Sequence, residues 1–440
     1  MKAKFICLCL LLAALTLLSG CMSTLDQMYC LPKRSEDTQN LQASIDAAMS
    51  GLDYCAPISG ENQQTVQTAD LDGDGRMEYL VFAKGSSEKP MKILIFSLEA
   101  GRYLHRLTLE SNGTAFDQVE YVQMDGQPGM ELVIGRQVSD QVLRSVSVYS
   151  FDGTQMKGLM SANYTKFLTC DLDNDGKKEL MILRPGMTVS DNGVAELYRI
   201  NEGIMERSNE ASMSESADHL KRIITGKLQD GEPAVYVAST VGENAIITDV
   251  FALVDGMFRN VSFSNDSGTS VQTLRNYYVY AVDIDGDGVV ELPNLIHMTP
   301  MDATRATERQ YLIRWYAMRL DGTEVDKQYT FHNYVGGWYF HLSPDWVSRV
   351  TVVQTGQAYD FYIWDVGFKR AEKVLTIFAL NGPDRETQAV EEGRFLLQRT
   401  ESVVYAGVLD NRAYDFGITK DIVIDGFHLI QQEWKTGETD

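Results

Sequence analysis

Short stretches of alternating apolar and polar residues run through most of this chain. Thr65-Val-Gln-Thr-Ala69, Glu78-Tyr-Leu-Val-Phe82 and Val146-Ser-Val-Tyr-Ser-Phe151 carry the two-residue period of β-strands. Lys92-Ile-Leu-Ile-Phe-Ser-Leu98 is apolar at nearly every position, which suits a strand covered on both faces. Further strand-like runs lie at 349–354, 360–364, 374–379 and 403–409. Helical spacing is confined to two places. One is Ser35–Met49, with Leu41, Ile45, Ala48 and Met49 on one side and Ser35 as an N-cap; the other is Thr419–Trp434. The pattern predicts a mainly β protein.

Between the strands sit three acidic loops of nearly the same wording. They are Asp70-Leu-Asp72-Gly-Asp74-Gly-Arg76-Met-Glu78, Asp171-Leu-Asp173-Asn-Asp175-Gly-Lys177-Lys-Glu179 and Asp283-Ile-Asp285-Gly-Asp287-Gly-Val289-Val-Glu291. Carboxylates at positions 1, 3, 5 and 9 of a tight loop can converge on one hard cation. The residue at position 7 (Arg76, Lys177 or Val289) offers its backbone carbonyl. An all-oxygen set of this size suits Ca²⁺ better than a transition metal. An EF-hand would need a bidentate Glu at position 12 and flanking helices. Position 12 is Val81, Ile182 and Asn294, and the flanks alternate as strands do, so the loops join β-strands instead. An acidic turn that binds nothing is the plain alternative. Four crowded carboxylates, three times over, exceed what a turn requires.

Two fainter copies, Gln123–Glu131 and a stretch around Asp230-Gly231, fall between the strong ones. Position 5 then recurs at Asp74, Gln127, Asp175, Asp230 and Asp287, every 48 to 57 residues. A second marker keeps step with it: an aromatic-rich strand ending in a glycine turn at Gly101, Gly153, Gly203, Gly256 and Gly322. Each unit reads as strand, acidic turn, strand, strand, glycine turn, strand. Four-stranded sheets of this length, repeated, are the blades of a β-propeller, here about five of them.

The loops and their β-flanks resemble the FG-GAP/VCBS repeats of integrin α-subunit propellers and many bacterial surface proteins. The stretch Pro57-Ile-Ser-Gly60-Glu-Asn62 leading into Asp70 is similar to a set of uncharacterised Firmicutes lipoproteins. The resemblance covers roughly residues 55–322 and implies structural calcium at the three full loops. It carries the ligands onto Asp70, Asp72, Asp74 and Glu78, with matching sets at Asp171–Glu179 and Asp283–Glu291. The family often has Asp at position 9, where this chain has the longer Glu.

The amino terminus bears on location. Lys2 and Lys4 precede an apolar run of 14 residues, Phe5–Leu18, too short to span a bilayer. It ends in Leu18-Ser19-Gly20-Cys21, which resembles a bacterial lipobox; the resemblance implies cleavage before Cys21 and a diacylglyceryl anchor on its thiol, outside the cytoplasmic membrane. The expected organisation is a signal peptide over 1–20, a tether with a short helix over 21–54, a propeller over 55–325 and a small C-terminal α/β domain over 326–440. Further degenerate blades are the alternative for the last part.

Charge and composition narrow the function. A formal net charge of −22 without a basic cluster argues against nucleic acid. Cys30 and Cys55 are able to pair in an oxidising exterior, whereas Cys170 reads as a small buried apolar residue. The five tryptophans all lie in the last third and fit core packing better than an exposed binding surface. The six histidines are scattered, and only His332 and His341, near Trp338, form a local group. No catalytic motif is present. The expectation is a calcium-binding surface lipoprotein that is not an enzyme and adheres to an extracellular protein or glycan. A secreted glycosidase or lyase, or an envelope sensor or assembly factor, are the alternatives.

Overall fold

The computed structural model describes residues 36–138, 143–186, 191–276, 279–301, 310–367, 369–391 and 393–431. The lipobox, Cys30, Ser35, Tyr277, Tyr278 and Trp434 lie outside them. The described chain folds into six antiparallel sheets of four or five strands. In the first, Val66–Ala69, Glu78–Lys84, Met91–Glu99 and Arg102–Ser111 pair in sequence order, with the short Asp53–Tyr54 added beside Glu78–Lys84. The second (115–164), third (166–212) and fourth (220–260) repeat that four-stranded meander. The fifth holds Glu291–His297, Tyr311–Met318, Glu324–Asn333 and Trp338–Leu342; a single bridge, Val282 to Glu291, stands for the strand before its loop. The sixth spans 350–409.

Alternation along each strand decides what packs where. In the first sheet Leu80, Phe82, Ile93 and Ile95 point one way and join Phe116, Leu132 and Ile134 of the second. Their neighbours Val81, Ala83, Leu94 and Phe96 point the other way. The same division recurs down the chain: Val133, Val146 and Val148 meet Leu180 and Ile182, and Met181 and Leu183 meet Val235 and Val237. Tyr236 and Val250 then meet Leu292 and Tyr316. Each sheet therefore sandwiches a shared core with the next. The five glycines of the second marker all adopt positive φ, from 75° to 85°, in the turns where they were expected.

The ends of the row differ from its middle. Helix α1, Glu36–Ala48, lays Leu41, Ile45 and Met49 across the outer face of the first sheet. On the sixth sheet the short helix α2, Arg385–Gln388, lies beside a small cluster of Leu380, Ala389, Val404 and Ala406. Among the described residues the first and sixth sheets share no apolar cluster.

Two expectations need correction here. Position 325/326, where the repeat was expected to stop, falls inside the strand Glu324–Asn333. The fifth sheet needs that strand and Trp338–Leu342 to complete its meander, and its apolar face then meets the sixth sheet through Phe331, Trp338, Phe340, Phe361 and Ile363. The second concerns the closing helix. Helix α3 covers only Lys420–Gly426, and Phe427–Leu429 then adds a fifth strand to the fifth sheet. Gly426 lies so close to Phe340 that a Cβ there would sit 3.1 Å from the ring, and Phe427 is buried beside it. Trp315, Trp338 and Trp346 are buried, in keeping with the core reading. Cys170 is likewise buried among apolar side chains, which pushes its thiol up to about 12.

Candidate metal centres in the acidic loops

Every full loop joins the first two strand positions of its sheet, and all three fold alike. The position-6 amide donates to the position-1 carboxylate: Gly75 to Asp70 and Gly176 to Asp171 at 3.0 Å, Gly288 to Asp283 at 2.8 Å. Asp72, Asp173 and Asp285 each accept from the position-5 amide at 3.2 Å. Asp74, Asp175 and Asp287 each accept from the amides of Arg76, Lys177 and Val289 at 2.8 Å. Position 6 holds φ of 83–84° in all three, which is why glycine stands there.

Glu78, Glu179 and Glu291 open the following strand and are buried. Each accepts from the position-2 amide, of Leu71 at 3.0 Å, Leu172 at 2.8 Å and Ile284 at 3.1 Å. Glu131 does the same for Met124 at 2.8 Å in the fainter second loop. Position 9 is thus a latch between loop and strand as well as a ligand candidate. The sequence reading missed this role, although the signal was present: Glu survives at position 9 of the second loop where Asp does not survive at positions 1 and 5.

Each full loop brings three carboxylates within 4.8 Å of one another: Asp70, Asp72 and Glu78; Asp171, Asp173 and Asp175; Asp283, Asp285 and Glu291. The fourth member of each set is engaged elsewhere. Asp74 pairs with the Arg76 side chain, Asp287 with Lys327 at 2.7 Å, and Glu179 with Arg199 at 3.1 Å. Lys177 turns its ammonium onto Asp175 at 2.7 Å. Arg199 and Lys327 are countercharges supplied by later strands, at positions no local motif marks.

Two buried oxygens test whether these sets fit a cation. Glu291 Oε1 and Asp171 Oδ1 have no hydrogen-bond partner among the described residues. A buried carboxylate oxygen left unpaired is costly, and a cation among its neighbours removes that cost. Burial pushes Glu78 and Glu291 up to about 7, only partly offset by the amide each accepts from. Glu179 is raised for the same reason, opposed in part by Arg199. Without a cation, a proton therefore sits on Glu78 and Glu291 up to near-neutral pH; a cation displaces it. The clusters can hold a metal ion.

The loops form a row along one edge. Gly129 approaches the Leu71 carbonyl so closely that a Cβ would lie 2.4 Å from its oxygen. The Lys178 amide donates to the Gln123 carbonyl at 2.8 Å, linking the second loop to the third. The Lys227 amide of the fourth sheet donates to the Gly288 carbonyl at 3.2 Å. In the fourth unit Asp230 accepts from the Leu320 amide of the next sheet at 3.0 Å and pairs with Arg319 at 3.4 Å.

No family model and no curated protein matches this chain. Among solved structures it is similar to the exotype rhamnogalacturonan lyase YesX at 12% identity and a TM-score of 0.29, over 75% of this chain and 67% of that one. It is similar to the rhamnogalacturonan lyase YesW at 11% identity and a TM-score of 0.28, over 71% and 72%. A protein from Lactobacillus plantarum matches at 8% identity and a TM-score of 0.26, over 72% and 85%. The expectation that the chain is not an enzyme is corrected by these likenesses. It rested on a missing motif, and two of the similar structures are lyases.

Proposed function

We propose that this chain is an extracytoplasmic calcium-binding protein, a propeller-like arc of six blades that binds an extracellular glycan or protein. The observation that carries the reading is the loop geometry, repeated three times: clustered carboxylates, with a buried oxygen at two of the sites that has no hydrogen-bond partner among the described residues. Calcium is the cation of choice because every candidate donor is a hard oxygen and the loops combine carboxylates with backbone carbonyls. Its role is to hold the loop edge rigid. Neighbouring loops touch backbone to backbone, so an ion in one turn also steadies the seam between two sheets. The resemblance to FG-GAP/VCBS repeats supports the same picture, and the lipobox-like Leu18–Cys21 supports a lipid anchor through Cys21 in the bacterial cell membrane.

Calorimetric titration of the chelated protein with Ca²⁺ and with Mg²⁺ tests the metal. Heat of binding for Ca²⁺, with a stoichiometry near the number of full loops, is expected; silence on titration with both ions removes the reading. The anchor is tested separately by Cys21→Ala, which is expected to move the protein from the membrane fraction to the medium.

A further inference from the structure

The three full loops differ in what lies over the position-3 carboxylate. In the first sheet it is the glycine turn of the second: a Cβ on Gly153 would lie 2.9 Å from Asp72 Oδ2. In the third sheet the Arg199 guanidinium donates to Asp173 Oδ2 at 3.1 Å. In the fifth, Asp285 is exposed, and together with Asp283 it lines a cavity of about 570 Å³. Small-molecule sites typically enclose about 300–1,000 Å³.

The other walls come from elements distant in sequence. Gln328 is carried by the strand Glu324–Asn333 and His428 by Phe427–Leu429, both in the fifth sheet. Gln398 is carried by Phe395–Arg399 at the edge of the sixth. His428 and Gln398 are both exposed. Tyr339 stacks on His428 with ring centroids 5.0 Å apart, which fixes the plane of the imidazole. Amides and an imidazole can each donate and accept, which is what hydroxyl groups require of a site. Polar side chains of two sheets thus converge on the same space as two candidate ligands of an ion.

Glu291 gives the reason to expect an ion here. It is fully buried, it lies within 4.8 Å of Asp283 and Asp285, and its Oε1 has no hydrogen-bond partner among the described residues. The Lys327 ammonium stands 4.0 Å from that oxygen and holds Asp287 at 2.7 Å. Three carboxylates and the Val289 carbonyl make about four donors when each binds through one oxygen, whereas Ca²⁺ takes about six to eight. The places left over fall to water or to the oxygens of a ligand.

We infer that the fifth-unit ion receives a ligand: a saccharide in this cavity gives it two adjacent oxygens and hydrogen-bonds to Gln398 and His428. The two oxygens are a hydroxyl pair of a neutral sugar, or the carboxylate and a neighbouring oxygen of a uronic acid. The inference rests on the calcium and glycan reading above and gives that glycan its place. The ions of the first and third sheets, with their position-3 carboxylates covered, stay structural.

Two measurements on the whole chain test it. Calorimetry in Ca²⁺ measures the binding of mannotriose and of trigalacturonate. Europium(III) in place of Ca²⁺ reports the waters on the ion through its luminescence decay in H₂O and D₂O. At least one trisaccharide binds, and it removes about two waters from the bound europium, one for each oxygen supplied. Which of them binds tells the hydroxyl pair from the carboxylate. Asp285→Asn abolishes that binding and lowers the Ca²⁺ stoichiometry by one. Gln398→Ala keeps the Ca²⁺ stoichiometry and weakens the saccharide about fivefold, the scale of one hydrogen bond. Gln398 is exposed, so its variant and the water count decide the matter if Asp285→Asn unfolds. Binding of neither trisaccharide, an unchanged water count, or affinity untouched by the substitutions overturns the inference. Three bound Ca²⁺ with neither trisaccharide bound strikes this inference alone, whereas failure of the cation reading shows as silence in the Ca²⁺ titration itself.

Discussion

The first and second acidic loops are built on one plan and reach it by different chemistry. In the first, Asp70 accepts the amides of Gly73 at 2.8 Å and Gly75 at 3.0 Å, leaving a carboxylate cluster that needs a positive charge at its centre. In the second, Gln123 stands at position 1. Its side-chain oxygen accepts the Asp125 and Gly126 amides, and its NH₂ group donates to the carbonyls of Gln127 and Gly129. Gly129 is position 7, whose carbonyl a cation would engage. The amide group thus does internally what the proposed ion would do in the first loop. Pro128 at position 6 has no N–H to give a carboxylate and cannot adopt the positive φ of Gly75. The contrast teaches that fewer carboxylates here do not mean a looser loop: a neutral bridge ties the second loop where the first gathers carboxylates, and the Glu131 latch is kept.

If this contrast is right, chelation is the harshest test. At about 10 mM Ca²⁺ and a dissociation constant of ~10⁻⁴–10⁻³ M, each occupied loop contributes about 1.4–2.7 kcal/mol to stability. EDTA should therefore lower the melting temperature by many degrees, and overlapping curves with and without Ca²⁺ would sink the idea.

Removing the neutral bridge acts on the second loop alone. Gln123→Ala strips partners from two carbonyls and should cost about 1–3 kcal/mol, by the same amount in EDTA and in Ca²⁺. A loss that Ca²⁺ rescues would mean that the second loop is an ion site after all. The reverse experiment, Q123D/Q127D/P128G, should add one bound Ca²⁺ per chain in native mass spectrometry.

Protonation offers a gentler probe. Burial holds Glu131 at about 7, above its unfolded value of 4.5, so the folded state binds more protons between those limits. Its contribution is fully present below pH 4.5 and is lost as pH rises through 7. Chemical denaturation of Glu131→Gln in EDTA should show a shallower fall in stability between pH 5 and 8 than the parent. An identical slope would show that the carboxyl does not titrate there.

The smallest effect is expected at Lys327, whose ammonium competes for the fifth-unit carboxylates. Lys327→Met should tighten Ca²⁺ binding at Asp283–Glu291 a few-fold, in line with the modest worth of a partly exposed ion pair. Weaker binding would instead make the lysine a support of the site.

Much of the β architecture was legible because strand alternation, acidic loops and glycine turns are local signals. The loop positions, the glycine turns and the apolar side of α1 all emerged from short windows of sequence. What stayed hidden depends on distant partners. Arg199 and Lys327 reach the loops from strands tens of residues away, and nothing beside them marks the role. The bridge made by Gln123 is a matter of side-chain orientation, so the sequence showed only an absent Asp. The sixth sheet was obscured because its strands carry no acidic loop, and its place follows from an apolar face shared with the fifth. Gly426 and Phe427 ended the last helix through contact with Phe340, a residue more than eighty positions earlier.

Helix α1 lies between the proposed anchor and the first strand of the array. Any mechanical load passed along the chain from Cys21 would reach Leu41, Ile45 and Met49 before it reached a hydrogen-bonded strand. A small apolar patch and the hydrogen bond from Ser44 to the Tyr103 carbonyl give way in shear more easily than a meander unzips. Peeling would bare Val81, Ala83, Leu94 and Phe96 while leaving every acidic loop intact, turning the proposed tethered end into a sticky, tension-revealed patch.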